Sequence, residues 1–175
     1  LTLHRMSSEV SHGEMSDCDI QLIARDTIAG MFSQFEARRQ HIELDAESTM
    51  LYGDAFSLSV LIRNLIDNAG KYTPESGTVR VTVSKLAGAV RLFVEDSGFG
   101  IPIAERERVL ERFYRVSGDR HSSGIEGSGL GLSIVSSIVR LHEGKLRLTQ
   151  SEALGGLGVE IVFPQIKQID RDNDT

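Results

Sequence analysis

Three polar residues recur at helical spacing in the segment NLIDNAGKYTP (64–74). Asn64, Asn68 and Lys71 are four and three residues apart, so on an α-helix they form one stripe. Each Asn lowers helix stability by up to about 0.7 kcal/mol relative to Ala, and Gly70 lowers it by about 1 kcal/mol more. An amide oxygen is a ligand for a hard cation such as Mg²⁺, whereas an ammonium group binds phosphate. The stripe therefore indicates a site for a magnesium-bound nucleotide.

The alternative for this stripe is a solvated polar face, which is common for Asn and Lys on surface helices. The same helical segment already contains a separate polar row at helical spacing: Ser59, Arg63 and Asp67. Because that row can face the solvent, the stripe of Asn and Lys is left for a ligand. The sequence favours ligand binding, and the solvated face stays open as the alternative.

A single carboxylate follows an apolar run in the segment DSGFGIP (96–102), where Asp96 precedes Gly98 and Gly100. Seven of the 17 glycines in the chain lie between Gly98 and Gly131. Glycine lets backbone N–H groups approach a ligand closely, so we expect a mobile binding loop or lid here. The segment GSGLGLS (127–133) opens a predicted helix, and a helix N-terminus favours an anion. Its spacing fits neither the Rossmann nor the P-loop glycine pattern.

Composition excludes several other classes of function. The net charge is −6 and no run of Lys or Arg occurs, which argues against nucleic acid as a partner. Cys18 is the only cysteine, so neither an internal disulfide nor a multi-cysteine metal site can form. The five histidines have no metal-ligand spacing, and Ser133 does not lie in a hydrolase nucleophile motif. Because Leu1 stands in place of Met, we expect a piece of a longer chain.

Hydrophobic periodicity predicts the elements that must position these residues. Helical patterns cover 19–39, 54–72, 103–113 and 130–142, and strand patterns cover 41–47, 78–86, 89–97, 145–151 and 156–164. Asp54 is placed to cap the second helix, whose apolar arc comprises Leu58, Ile62, Leu65, Ile66 and Ala69. This order lacks the strict alternation of a doubly wound parallel sheet. We expect an α+β fold with a mixed sheet and helices on one face.

Four motifs, in this order, resemble the catalytic and ATP-binding domain of bacterial sensor histidine kinases. NLIDNAGKYTP is similar to the N box of that family, DSGFGIP to its first glycine box, ERFYR to its F box and GSGLGLS to its second glycine box. The resemblance spans about residues 20–164. It implies the Bergerat fold, a two-layer α/β sandwich with a mobile ATP lid that DNA gyrase B and the heat-shock chaperone ATPases share.

The resemblance assigns roles to the matching positions. Asp96 would accept a hydrogen bond from the adenine amino group, Tyr72 would pack beside the ring, and Asn68 would bind Mg²⁺. Lys71 and the backbone amides of 127–132 would hold phosphate, and Phe113 would anchor one end of the lid. The remaining residues implied to contact ATP are Gly98, Gly100, Ile101, Tyr114, Arg115, Gly127, Ser128, Gly129, Leu130, Gly131 and Leu132.

The resemblance also predicts phosphoryl transfer rather than hydrolysis. Hydrolytic members of the superfamily carry a Glu one turn before the metal-binding Asn, and this chain has Asn64 there. An amide cannot act as a general base, so Asn64 joins Asn68 and Lys71 in a catalytic set that disfavours attack by water. No His has the sequence context of the family's phosphoacceptor, so the acceptor is expected outside this chain.

Domain organisation and partners follow from the same resemblance. Residues 1–17 would be the end of a dimerisation hairpin and a linker, 18–166 the ATP-binding catalytic domain, and 167–175 a frayed tail. The expected partners are the protein's own dimerisation domain and a response regulator, with a homodimeric full-length protein, a monomeric fragment and no nucleic acid. The expected location is the cytoplasmic part of a bacterial inner-membrane protein. A non-catalytic nucleotide-binding module and a hydrolytic ATPase remain the alternatives.

Overall fold

A five-stranded mixed sheet carries three helices in the computed structural model, which describes residues 13–114 and 129–165. The helices are α1 (Ile20–Ala37), α2 (Ala55–Tyr72) and α3 (Gly131–Leu141). The strands are β1 (Ser16–Asp19), β2 (His41–Ala46), β3 (Met50–Gly53), β4 (Thr78–Leu86), β5 (Ala89–Asp96), β6 (Lys145–Gln150) and β7 (Leu157–Pro164).

The strand order of the main sheet is β2-β4-β5-β7-β6. The pair β2–β4 is parallel, and the other three pairs are antiparallel. Because parallel neighbours need a long crossover, the chain passes through β3 and α2 between β2 and β4. The predicted mixed sheet is therefore confirmed, and α2 is the helix of the crossover from β2 to β4.

One face of the sheet forms the core against the helices. Alternate residues of the central strands are fully buried there, including Val81 in β4, Leu92 in β5 and Ile161 in β7. The opposite face carries ion pairs, in which Glu160 accepts from Arg91 at 2.7 Å and from Arg147 at 2.8 Å. Hydrogen bonding to Arg91, the largest cause, lowers the pKa of the Glu160 carboxyl. The two-layer arrangement predicted from sequence is thus the observed one.

Helix α2 begins where its cap was predicted. Asp54 Oδ1 accepts the backbone N–H of Phe56 at 3.0 Å, and its Oδ2 accepts the Ser57 hydroxyl at 2.5 Å. Burial raises the pKa of Asp54, but hydrogen bonds from Ser57 and nearby backbone groups outweigh it and lower the pKa. The whole predicted apolar arc of the helix is buried. Near its end, a Cβ on Gly70 would lie 3.1 Å from the Phe35 ring, so α1 and α2 approach closely at this glycine.

A buried histidine joins the end of α3 to the beginning of α2. His142 Nε2 accepts the backbone N–H of Asp54 at 3.0 Å, so the ring proton lies on Nδ1 and is donated to the Ile138 carbonyl at 2.8 Å. The ring also packs edge-on against Phe163. Both ring nitrogens therefore have hydrogen-bond partners. The histidine links the C-terminal end of α3 to the N-terminal end of α2, away from the polar stripe.

We expect His142→Ala to destabilise the domain by about 2 to 4 kcal/mol, because it leaves the buried Asp54 N–H without an acceptor and opens a cavity. Urea unfolding at neutral pH measures this free energy. Arg140→Ala, at an exposed position two residues earlier on the same helix, is the matched control and should change it by less than about 0.5 kcal/mol. Equal unfolding midpoints for the two variants would contradict the structural role of the histidine.

Two segments differ from the sequence prediction. Strands β1 and β3 pair as an antiparallel ribbon, and β1 begins at Ser16, within the segment predicted as linker. The predicted helix over 103–113 is wrong, because the segment forms two 3₁₀ turns, Ile103–Glu105 and Arg108–Leu110. Ile103 is exposed and only Val109 is buried in those turns, so the segment has no apolar face that could hold a full helix against the core.

The outer parts of the predicted domain division lie beyond the structural description. Residues 1–12 and 166–175 are outside the described residues, and so are residues 115–128, which include all of the predicted lid VSGDRHSSGIEGSG (116–129) except its last glycine. The boundary at 166/167 therefore stays a prediction, and so does the boundary at 17/18, which falls within β1. Within the described ranges, none of the helices combines the length and the apolar character that crossing a bilayer requires.

Candidate functional site

The predicted site residues meet around the last two turns of α2. On one side, α3 begins so close to α2 that a Cβ on Gly131 would lie 3.0 Å from Asn68 Nδ2. On the other side, the loop after β5 approaches the end of α2, and a Cβ on Gly98 would overlap the Tyr72 carbonyl oxygen. Gly98 is needed for this close packing because a Cβ there would meet backbone, whereas a Cβ on Gly131 would require only a small shift of the Asn68 side chain. The motifs that contain Asn68, Asp96 and Gly131 thus converge on one end of α2.

The two asparagines present their side-chain amides toward α3. Asn64 Nδ2 donates to the Val60 carbonyl at 2.8 Å, which leaves Asn64 Oδ1 as the outward group, 3.4 Å from a Cβ built on Gly131. Asn68 is half-buried, and within 13–114 and 129–165 its amide has no hydrogen-bond partner. An unpaired amide at a helix end is able to bind an ion or a polar ligand.

This donor set fits Mg²⁺ better than the metals that prefer His or Cys. Within the part of the chain that the structure describes, no group of three or more His, Cys, Asp or Glu residues could hold a metal ion. Mg²⁺ commonly binds through one protein oxygen together with waters and the phosphate oxygens of a substrate. The Asn68 amide oxygen can supply that single protein ligand.

Lys71 is already paired. Its ammonium group lies 2.5 Å from Asp67 Oδ2, one turn earlier on α2, and both side chains are half-buried. Asp67 was predicted to lie in the solvent-facing row, but it instead holds the lysine at the edge of the candidate site. To bind phosphate, Lys71 must share its ammonium group with Asp67 or exchange one partner for the other.

Asp96 is a buried carboxylate, only 4% exposed, at the end of β5. Its Oδ1 accepts the backbone N–H of Gly98 at 2.8 Å and that of Leu157 at 3.2 Å. Among the described residues, none donates to Oδ2. Burial raises the pKa of Asp96, assisted by the negative charge of Glu95, while the two N–H groups oppose the increase. One oxygen is thus saturated, and the other is able to accept a hydrogen bond from a ligand.

The loop after Asp96 turns sharply and then continues into the 3₁₀ segment. Gly100 has φ +70°, a conformation that favours glycine. Ile101 is half-buried, and its carbonyl accepts Arg106 Nε at 3.0 Å. The arrangement fixes the exit of the first glycine motif beside the candidate site.

The two ends of the predicted lid are hydrogen-bonded to each other. The Phe113 N–H donates to the Gly129 carbonyl at 3.1 Å, and the Phe113 side chain is 68% exposed. Tyr114 is held within the F-box region, where its hydroxyl donates to Glu105 Oε2 at 3.1 Å and its ring lies 4.4 Å from the Arg108 guanidinium carbon. Three predicted ligand contacts between these ends lie outside the described residues: Arg115, Gly127 and Ser128.

Helix α3 begins without a side-chain cap. Leu130 occupies the N-cap position and makes no capping hydrogen bond through its side chain. Its carbonyl accepts the Ser133 hydroxyl at 2.9 Å, and Leu132 packs against the core. The first backbone N–H groups of this 11-residue helix therefore have no side-chain acceptor of their own at the cap. Together with the helix dipole, they favour an anion beside Asn68.

The sequence analysis missed the turn between β6 and β7. Gly156 lies against Asp96, where a Cβ would overlap both Oδ1 and the backbone carbonyl oxygen, and Leu157 supplies one of the two N–H donors to the carboxylate. The adjacent glycines at 155 and 156 indicated a turn, but no local pattern indicated its partner. The turn approaches Asp96 only because β7 pairs with β5.

A groove elsewhere on the domain is separate from this site. It has a volume of about 580 Å³ and runs between α1 and β2. Its lining residues are Phe32, Glu36, Arg39, Gln40, His41, Ile42, Glu43 and Ser76. None of the predicted site residues lines this groove.

Comparison with known families agrees with the geometry. The family model described as "Histidine kinase-, DNA gyrase B-, and HSP90-like ATPase" matches residues 53–167, which is more than half of the chain. The chain belongs to this ATPase family. The match contains all four motifs, and it confirms the resemblance on which the fold and site were predicted.

Individual relatives of this ATPase domain are sensor kinases. It is 39% identical over 145 residues to the signal transduction histidine-protein kinase/phosphatase MprB of Mycobacterium bovis BCG, covering 79% of this chain and 28% of that protein. It is 33% identical over 131 residues to the adaptive-response sensory kinase SasA of Thermosynechococcus vestitus, covering 73% of this chain and 34% of that protein. The chain therefore spans about a third or less of the length of these relatives.

Solved structures show the same fold. The structure of the mycobacterial sensor histidine kinase MprB matches this ATPase domain with a TM-score of 0.76 at 29% identity, over 86% of this chain and 97% of that chain. The catalytic domain of the histidine kinase ThkA matches with a TM-score of 0.76 at 22% identity, over 87% of this chain and 96% of that chain. The predicted α/β sandwich is the fold of histidine kinase catalytic domains.

Proposed function

We propose that this ATPase domain binds Mg²⁺–ATP and transfers the γ-phosphoryl group to a histidine on a dimerisation domain outside these 175 residues, in a two-component signalling pathway. The observation that carries the proposal is the convergence of Asn68, Asp96 and the uncapped N-terminus of α3 on one end of α2. A magnesium-bound nucleotide needs three kinds of group: a carboxylate that accepts from the adenine base, an amide that binds the metal, and backbone N–H groups that bind the phosphates.

Each of these groups has a separate task in the proposed site. Asp96 Oδ2 accepts the adenine amino group, Tyr72 packs beside the ring, and Asn68 holds Mg²⁺. The first turn of α3 and Lys71 hold the phosphates. Mg²⁺, when bound, neutralises phosphate charge. Phosphoryl transfer depends mainly on positioning and charge stabilisation, so a site without a protein nucleophile is sufficient.

Asn64 favours transfer over hydrolysis. Its amide donates to the Val60 carbonyl, which fixes its orientation, and an amide takes no proton from water. A hydrolytic ATPase would need a base at this position. A non-catalytic module that holds nucleotide as a structural ligand is the second candidate, because the described chain contains no histidine in the context of a phosphoacceptor.

The partners and location belong to the same proposal. The similarity to MprB and SasA supports a dimerisation domain of the same protein as the phosphoryl acceptor and a response regulator as the next acceptor. The proposal further includes a homodimeric full-length protein, a monomeric state for these 175 residues alone, and a position on the cytoplasmic side of a bacterial inner membrane.

Asn68→Ala tests the metal assignment. We expect calorimetry to show that Mg²⁺ strengthens binding of a non-hydrolysable ATP analogue to the unaltered domain. Asn68→Ala should reduce this Mg²⁺-dependent increase in affinity by about tenfold or more, because an amide ligand is lost. Arg63→Ala, at an exposed position on the same helix, is the matched control and should retain the gain. A folded domain that binds no nucleotide would overturn the proposal.

A transfer assay distinguishes the remaining candidates. The domain is mixed with labelled ATP and a dimerisation hairpin that carries the acceptor histidine. Label on the hairpin supports the kinase, whereas binding without transfer supports the non-catalytic module. Steady release of phosphate in the absence of the hairpin supports the hydrolytic ATPase.

A further inference from the structure

The turn between β6 and β7 contacts both faces of the end of β5. We call residues 151–156 the β6–β7 turn. Glu95 and Asp96 are consecutive in β5, so their side chains point to opposite faces of the sheet. On one face, the Ser151 hydroxyl donates to Glu95 Oε1 at 2.5 Å. Beside the other, Gly156 N–H donates to the Asp96 carbonyl at 3.0 Å, and Leu157 N–H reaches Asp96 Oδ1.

Ser151 is the centre of this turn. Its backbone N–H donates to the Gly156 carbonyl at 2.8 Å, and its carbonyl accepts the Gly155 N–H at 3.0 Å. Its hydroxyl oxygen also accepts the Leu154 N–H at 2.9 Å. The residue is 2% exposed, so water does not compete for these bonds. The bond from Ser151 to Glu95 therefore attaches the turn to β5 through a side chain, in addition to the pairing of β7 with β5 and the Gly156–Asp96 bond.

The position of the β6–β7 turn determines how Asp96 can bind a ligand. With the N–H groups of Gly98 and Leu157 both on Oδ1, the carboxylate cannot rotate without losing a donor. Oδ2 is then held as a lone acceptor. Such an acceptor binds the 6-amino group of adenine, which donates, and disfavours the 6-oxo group of guanine or hypoxanthine, which only accepts.

We propose that Ser151, through its hydrogen bond to Glu95, is a positioning residue that sets the base selectivity of the nucleotide site. The inference rests on the proposed binding of ATP at Asp96. Ser151 itself touches no ligand atom; it acts by holding Leu157 N–H on Oδ1. When the hydroxyl is removed, both Glu95 Oε1 and the Leu154 N–H lose their partner, the turn moves away from β5, and Asp96 is free to change orientation.

The test compares Ser151→Ala with Thr149→Ala by calorimetry with Mg²⁺–ATP and Mg²⁺–ITP. Thr149 donates its hydroxyl to the Gly158 carbonyl within the same hairpin, so its removal controls for the loss of a hydroxyl away from the turn. We expect Ser151→Ala to lower the preference for ATP over ITP by about fivefold or more, mainly through weaker ATP binding. Thr149→Ala should keep the preference of the unaltered domain.

A second variant covers the case in which Ser151→Ala does not fold. Glu95→Gln preserves side-chain volume and weakens the same bond, so it should lower the base preference in the same direction. An unchanged preference in either folded variant would overturn the inference while leaving the proposed function intact. If the unaltered domain binds neither nucleotide, the proposed function fails and the inference fails with it.

Discussion

Asp96→Asn is expected to weaken Mg²⁺–ATP binding by about 10- to 100-fold while leaving the domain at least as stable as the unaltered protein. The Asn oxygen can still accept the N–H groups of Gly98 and Leu157. Its NH₂ group, however, would then face the ligand, where a donor meets the adenine amino donor. Calorimetry measures the affinity, and urea unfolding measures the stability.

The raised pKa of Asp96 determines how the difference in stability between Asp96→Asn and the unaltered protein changes with pH. Burial raises the folded-state pKa of Asp96 above its ordinary value of 3.8. A carboxyl with a raised pKa costs stability when it ionises in the folded state, so the cost is present above the folded pKa and disappears as pH falls toward 3.8. We expect Asp96→Asn to be the more stable protein at neutral pH, with the difference shrinking on acidification through that window.

Asp45→Asn is the control for the loss of one negative charge. Asp45 is an exposed carboxylate on β2, and its replacement should leave the ATP affinity nearly unchanged. If Asp96→Asn unfolds the domain at neutral pH, the carboxylate is a structural group rather than a ligand-binding one. If it binds ATP normally, base recognition resides elsewhere.

Gly156→Ala is expected to destabilise the domain by about 2 to 4 kcal/mol and to impair ATP binding in the molecules that remain folded. The new Cβ would overlap Asp96 Oδ1 and the Asp96 carbonyl oxygen, and it would lie 2.6 Å from the Gly98 nitrogen. Two of these atoms belong to the backbone, so no side-chain rotation relieves the overlap. Strand β5 or the turn must move, and the carboxylate moves with them.

Gly155→Ala is the matched control at the neighbouring position. Gly155 has φ +87°, which costs an alanine about 1 kcal/mol, but no atom lies within 4 Å of a Cβ built there. This variant should therefore lose a little stability and keep its affinity for ATP. Unfolding free energies in urea and calorimetric affinities separate the two effects. Equal values for both variants would show that the close approach at Gly156 is not required.

The parts of the fold that were predicted from sequence are those with strong local patterns. Helix α2 has an N-cap, an apolar arc and a polar stripe within 19 residues, and strand β4 buries Val79, Val81 and Val83 in strict alternation. Strands β1 and β3 have four residues each, which is too short for alternation to stand out. The helix predicted over 103–113 failed because its charged residues outnumber the apolar positions that the core can bury.

In the candidate site, too, sequence predicts the residues that follow a local pattern and misses the contacts between distant parts of the chain. The stripe of Asn64, Asn68 and Lys71 follows from helical spacing alone, and the Asp67–Lys71 pair at the same spacing was available to the same reasoning. The contacts around Asp96 come from residues far away in the chain: Leu157 is 61 residues distant, and Ser151 lies 56 residues from Glu95. No local pattern reports such contacts, because they depend on the pairing of β5 with β7.

The hydrogen bond between Phe113 and Gly129 bears on how the family can diverge. The bond joins two residues that are far apart in the chain, so the spacing between them is fixed on the domain itself. In general, the free energy of closing a chain segment grows slowly with its length, by about 0.6 kcal/mol for each doubling. Relatives that differ in length between these two positions can therefore keep the same bond.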